Sequence, residues 1–72
     1  RNLSQLKVNQ KARIKDFLDN DLSVKLTEMG FLPGTEVKIR LIAPFGDPIA
    51  VNVADYCLSI RKRDAKNVLL EE

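Results

Sequence analysis

The chain contains no histidine and a single cysteine, Cys57. Without histidine there is no side chain whose ordinary pKa suits proton transfer near neutral pH. Ser4, Ser23 and Ser59 therefore have no evident base to activate them as nucleophiles. One cysteine excludes an internal disulfide, and with it the stapled scaffold of small secreted domains. The same two shortages remove the usual ligands of a tight zinc or iron site. Aromatic residues are few (Phe17, Phe31, Phe45 and Tyr56), which is thin for stacking nucleic-acid bases. No apolar run approaches the ~20 residues a membrane-spanning helix needs, and no signal-peptide pattern is visible. Gly30, Gly34 and Gly46 do not form a phosphate-binding loop of the G-x-x-x-x-G-K-[S/T] type. The chain begins at Arg1 and not at Met, so further residues are expected ahead of it in the gene.

What is present fits one small domain of 72 residues. A chain of this size buries only about 60% of the surface its unfolded form exposes, so its core is thin. Apolar residues make up 44% and charged residues 31%, with both signs interspersed and a net charge of +2. That balance describes a solvated surface on a folded domain, expected to be cytoplasmic, and not a polyanion-binding one.

The most informative stretch is Met29-Gly30-Phe31-Leu32-Pro33-Gly34-Thr35-Glu36-Val37. Leu22, Leu26 and Met29 recur at helical spacing, and Gly30 is placed to end that helix with a positive φ. Pro33-Gly34 reads as a type II turn. Phe31 and Leu32 are expected to plug the core between helix and strand. The helix should start at Asn20 or Asp21, whose side chains cap orphan amides. Asp16, Asp19 and Asp21 lack the glycine and spaced glutamate of a calcium loop, so they read as a solvated helix entry.

Around this stretch the pattern is that of strands. Leu3 and Leu6 open the chain against the core, and Asn9 is a turn residue. Ala12, Ile14 and Leu18 alternate with Lys11, Arg13 and Lys15 in a first strand. Val37, Ile39 and Leu41 alternate with Glu36, Lys38 and Arg40 in a second. Ile49, Val51 and Val53 form a third, joined to the second as a hairpin through Ala43-Pro44-Phe45-Gly46-Asp47-Pro48. Asp55-Tyr56 is a turn, and Cys57 to Ile60 a fourth strand, in which Cys57 reads as a small core or half-buried residue and not a nucleophile. Arg61 to Asn67 makes one helical turn with Ala65 inward, and Val68 to Leu70 a fifth strand. Five short strands and one helix point to a mostly β fold, a small barrel whose closure limits exposed edges.

Three segments, in order and at matching spacing, resemble the FeoA family. Leu26-Thr27-Glu28-Met29-Gly30-Phe31-Leu32-Pro33-Gly34-Thr35-Glu36-Val37 is similar to its L-x-E-M-G-h-x-P-G-T-x-V signature. Ala43 to Ile49 resembles its A-P-x-G-D-P-I loop, and Leu58 to Ala65 its L-x-L-R-x-x-E-A segment. The opening Leu3-Ser4-Gln5-Leu6-Lys7 matches as well. Asp64 stands where the family commonly has Glu, and Ala54-Asp55-Tyr56 replaces a more usual Gly-Tyr turn. Cys57 is outside the motif.

The resemblance implies a five-stranded SH3-like barrel with one short inserted helix over residues 1–72. It implies a non-enzymatic accessory and regulatory module for ferrous iron transport, docking on the cytoplasmic GTP-binding domain of the FeoB transporter and reaching the membrane only through it. The family's domain occurs free-standing or fused to that transporter. A related domain occurs in metal-dependent transcriptional repressors, so a regulatory domain of that kind is one alternative. A nucleic-acid-binding barrel is the other, with Arg13, Lys15, Lys38, Arg40, Arg61, Lys62 and Arg63 as its basic face. No cofactor is expected; Asp19, Asp21 and Glu28 offer ferrous iron only a loose hold. The expected partner surface is Leu32, Pro33 and Gly34 together with Phe45, Gly46 and Asp47 of the hairpin loop, with Arg61 and Lys62 steering an acidic partner.

Overall fold

A computed structural model describes residues 1–53 and 55–71. Among them the chain forms an opening 3-10 turn (Leu3–Gln5), then β1 (Lys11–Phe17), α1 (Asn20–Glu28), β2 (Glu36–Ile42), β3 (Ile49–Val53), β4 (Tyr56–Ile60), α2 (Lys62–Ala65) and β5 (Val68–Leu70). The strands build one antiparallel sheet in the order β4-β3-β2-β1-β5. It wraps around a core of Leu3, Leu6, Ile14, Leu26, Phe31, Val37, Ile39, Ile49, Val51, Val53, Ile60, Ala65, Val68 and Leu70. No polar or charged side chain is buried among the described residues. The strand order, with a helix inserted between β1 and β2, is that of an SH3-like barrel. Among the described residues no helix is long and apolar enough to cross a membrane.

The helix stop forms as the sequence predicts. Gly30 takes φ 101. The Gly30 amide donates to the Thr27 carbonyl and the Phe31 amide to the Leu26 carbonyl. These two bonds close a Schellman motif, and the side chains it brings together, Phe31 and Leu26, are both buried. Pro33-Gly34 turns as expected, with Gly34 at φ 88 and the Thr35 amide donating to the Leu32 carbonyl at 3.0 Å. Among the described residues Asn9, at φ 73, is the one left-handed position outside glycine.

Several expectations need correction. The α1 cap is Asp19, one residue earlier than Asn20, because its carboxylate accepts from the amides of Asp21 and Leu22. Leu32 is no core plug; it is 46% exposed, since the turn it opens projects from the sheet. Leu18 is 66% exposed and Phe17 packs on the core in its place. The cause is a bulge: between the pairs Ile14↔Leu70 and Asp16↔Leu69, β1 carries an extra residue and its alternation changes phase. A second bulge lies between Ile39↔Val51 and Leu41↔Ala50. It turns Leu41 outward, at 61% exposure, and Ile42 inward. Tyr56 belongs to β4, paired with Val53, and only Asp55 keeps the turn. Cys57 is exposed, because its pairing with Asn52 sets it on the outer sheet face. Ala54 of the Ala54-Asp55-Tyr56 segment lies outside the described residues.

Candidate functional site

The hairpin loop between β2 and β3 is short and internally bonded. The Gly46 amide donates to the Ala43 carbonyl at 2.7 Å, and the Ala43 amide to the Pro48 carbonyl at 3.1 Å. Pro44 and Phe45 occupy the two central positions of the inner turn, where proline fixes its own φ. Gly46 follows with φ 86, a value that suits glycine. Phe45 at the apex is 99% exposed. A turn held this way presents an aromatic side chain without packing it on the domain.

Asp47 ties this loop to α2. Its carboxylate accepts from the Lys62 amide at 2.9 Å, across fifteen positions of sequence. The N-cap residue of α2, Arg61, makes no side-chain capping bond of its own, so Asp47 does the capping from another segment. Lys62 also approaches Gly46: a Cβ built on that glycine would stand 3.8 Å from the Lys62 Nζ. Phe45, Gly46, Asp47, Arg61 and Lys62 are thus neighbours in one lobe, apolar at its tip and cationic at its flank. Leu41, turned outward by the β2 bulge, lies at the same end of that strand.

Leu32, Pro33 and Gly34 are not part of this lobe. They precede β2, while the hairpin loop follows it, and a seven-residue strand places the two roughly 20 Å apart. Their turn is anchored to β1: the Gly34 amide donates to the Ile14 carbonyl at 2.7 Å, and the Arg13 guanidinium to the Gly34 carbonyl at 2.9 Å. The expected surface is therefore two surfaces, at opposite ends of β2.

Leu41 was not legible as a surface residue, nor Tyr56 as a residue that closes the helix end. Leu41 carried no signal, because its exposure depends on a bulge. Tyr56 fixes the helix end: its hydroxyl donates to the Met29 carbonyl at 2.8 Å. A Cβ on Gly30 would overlap that hydroxyl, so Gly30 answers to a close approach as well as to its φ.

A concavity of about 510 Å³ opens between α1 and α2 and is lined by Asp19, Asp21, Leu22, Lys25, Arg63, Asp64 and Asn67. It is shallow and of mixed charge. Among the described residues no group of three or more Cys, Asp or Glu side chains gathers to hold a metal ion; the Asp19 carboxylate is engaged in capping α1.

The FeoA domain family model matches residues 1–72, the whole chain. This chain belongs to the FeoA family. Its fold matches the solution structure of iron(II) transport protein A from Clostridium thermocellum, with a TM-score of 0.91 and 39% identity, over 99% of this chain and 44% of that one. It also matches the crystal structure of FeoA from Stenotrophomonas maltophilia, with a TM-score of 0.80 and 30% identity, over 99% of this chain and 89% of that one. That relative is an SH3 domain protein, solved with zinc and put forward as a ferrous iron transport activating factor. A 47-residue stretch, 65% of this chain, is 34% identical to an FeoA/FeoB fusion protein of Porphyromonas gingivalis. The stretch spans 6% of that fusion protein's length.

Proposed function

We propose that this FeoA chain is a non-enzymatic, cytoplasmic accessory module of ferrous iron transport that docks on the GTP-binding domain of an FeoB-type transporter. The observation that carries the reading is Phe45, fully exposed on a rigid turn beside Arg61 and Lys62, in a domain whose relative shares one polypeptide with the transporter. A soluble domain has no internal reason to hold an aromatic ring in water. Seating it in a partner's pocket is worth about 1.5–3 kcal/mol, and the adjacent cations favour an acidic rim and speed the encounter. Leu32, Pro33 and Gly34 form a second candidate contact at the far end of β2.

The mechanism is a coupling free energy. A module that binds one nucleotide state of the GTP-binding domain better than the other shifts that domain toward the preferred state, and nucleotide exchange changes the module's affinity by the same factor. Amide chemical-shift mapping of this chain against the purified GTP-binding domain tests the placement. Shifts at residues 43–48 and 61–62 support the hairpin lobe. Shifts confined to residues 32–34 move the contact to the other end of β2. The absence of any shift contradicts the docking.

A further inference from the structure

The two edges of the sheet are treated differently. The β5 edge is three residues long, and the N-terminal segment covers it, through a bridge of Asn2 to Leu69 and a bond from the Leu70 amide to the Arg1 carbonyl at 2.9 Å. The β4 edge is five residues long, Tyr56-Cys57-Leu58-Ser59-Ile60. Among the described residues no backbone group pairs with its outer side. It contains no charge, no proline and no bulge, and its register with β3 is unbroken. Sheet proteins ordinarily blunt an open edge with one of those devices. Tyr56 is 47% exposed and Leu58 half-buried, so apolar side-chain surface accompanies the open backbone.

The residues flanking this strand say what fits it. Asp55 precedes β4 and Arg61 follows it, both exposed and neither in an ion pair among the described residues. An antiparallel pairing of β4 with itself, about a two-fold axis at Leu58, sets Tyr56 opposite the partner's Ile60 and Cys57 opposite the partner's Ser59. The same register sets Asp55 opposite the partner's Arg61, twice by symmetry. Leu58 meets Leu58 of the partner subunit on the core side of the edge. The strand is therefore self-complementary in backbone, in apolar contact and in charge, which is what an isologous interface requires.

We propose that the β4 edge is a homodimerisation surface, in which two copies of this chain join their sheets through antiparallel β4 strands. This does not rest on the transport reading. The contact is short, so the dimer forms reversibly with concentration.

Sedimentation equilibrium of the purified 72-residue chain, over a wide concentration range at low salt, tests it. The expected result is a monomer–dimer equilibrium that reducing agent leaves unchanged. Asp55→Lys and Arg61→Glu each weaken it about tenfold, by turning two exposed attractive pairs into repulsive ones. The double variant Asp55→Lys/Arg61→Glu restores it, which no folding defect explains. Ser59→Lys, on the exposed face of β4, abolishes it while the melting temperature stays near that of the parent. A chain that stays monomeric at every concentration overturns the proposal. So does a dimer indifferent to the charge reversals, or one that depends on a Cys57 disulfide.

Discussion

The Asp47 carboxylate accepts a hydrogen bond from the Lys62 amide at 2.9 Å, joining the β2–β3 hairpin loop to the start of α2. One residue thereby performs two tasks. It caps a helix whose own N-cap position lacks a capping side chain, and it fixes the loop that carries Phe45 beside Arg61 and Lys62. Loss of this cap is expected to lower stability by about 1 kcal/mol in Asp47→Ala. Asp47→Asn, which keeps an acceptor oxygen, should retain most of it. Urea denaturation of the two variants checks this, and an Asp47→Ala protein as stable as the parent would remove the capping role.

Gly30 is constrained twice, by its φ of 101 and by the Tyr56 hydroxyl beside it. Gly30→Ala is expected to cost about 1 kcal/mol or more from the left-handed backbone alone. A second part of the loss comes from displacing Tyr56. In a Tyr56→Ala background that second part vanishes, so the two substitutions should be non-additive by more than about 0.5 kcal/mol. Strict additivity in the double-mutant cycle would mean that the tyrosine does not press on the helix end.

Phe31 and Leu32 are adjacent but should respond oppositely. Phe31 is wholly buried and closes the Schellman motif against Leu26, so Phe31→Ala is expected to lose about 3–5 kcal/mol. Leu32 is half in solvent, and Leu32→Ala should stay within about 0.5 kcal/mol of the parent. Thermal melts of the pair check the assignment.

The parts of this fold that are legible in the sequence are those decided by a few adjacent residues. The Gly30 stop, the Pro33-Gly34 turn and the Asn9 turn depend on local backbone chemistry, and each appears with the φ that chemistry predicts. Leu18 and Leu41 mislead because a two-residue period holds only until a bulge, and both bulges arise from register with a neighbouring strand. The helix cap misleads by one residue because Asp19, Asn20 and Asp21 are all competent caps, and Asp19 is the one with extended backbone whose carboxylate accepts from the Asp21 and Leu22 amides. The sequence names candidate surface residues without their arrangement. Nothing local says that Asp47 reaches Lys62, or that Gly34 and Gly46 stand at opposite ends of one strand.

The central claim is that Phe45 and its cationic neighbours dock on the transporter's GTP-binding domain in a way that senses nucleotide. Calorimetric titration of this chain into that domain, loaded with GDP and then with a GTP analogue, tests it most directly. The expected result is binding whose affinity differs between the two states, with Phe45→Ala weakening the tighter one by about tenfold or more while its melting temperature matches the parent. Equal affinity in both states, or no heat of binding in either, would contradict the account.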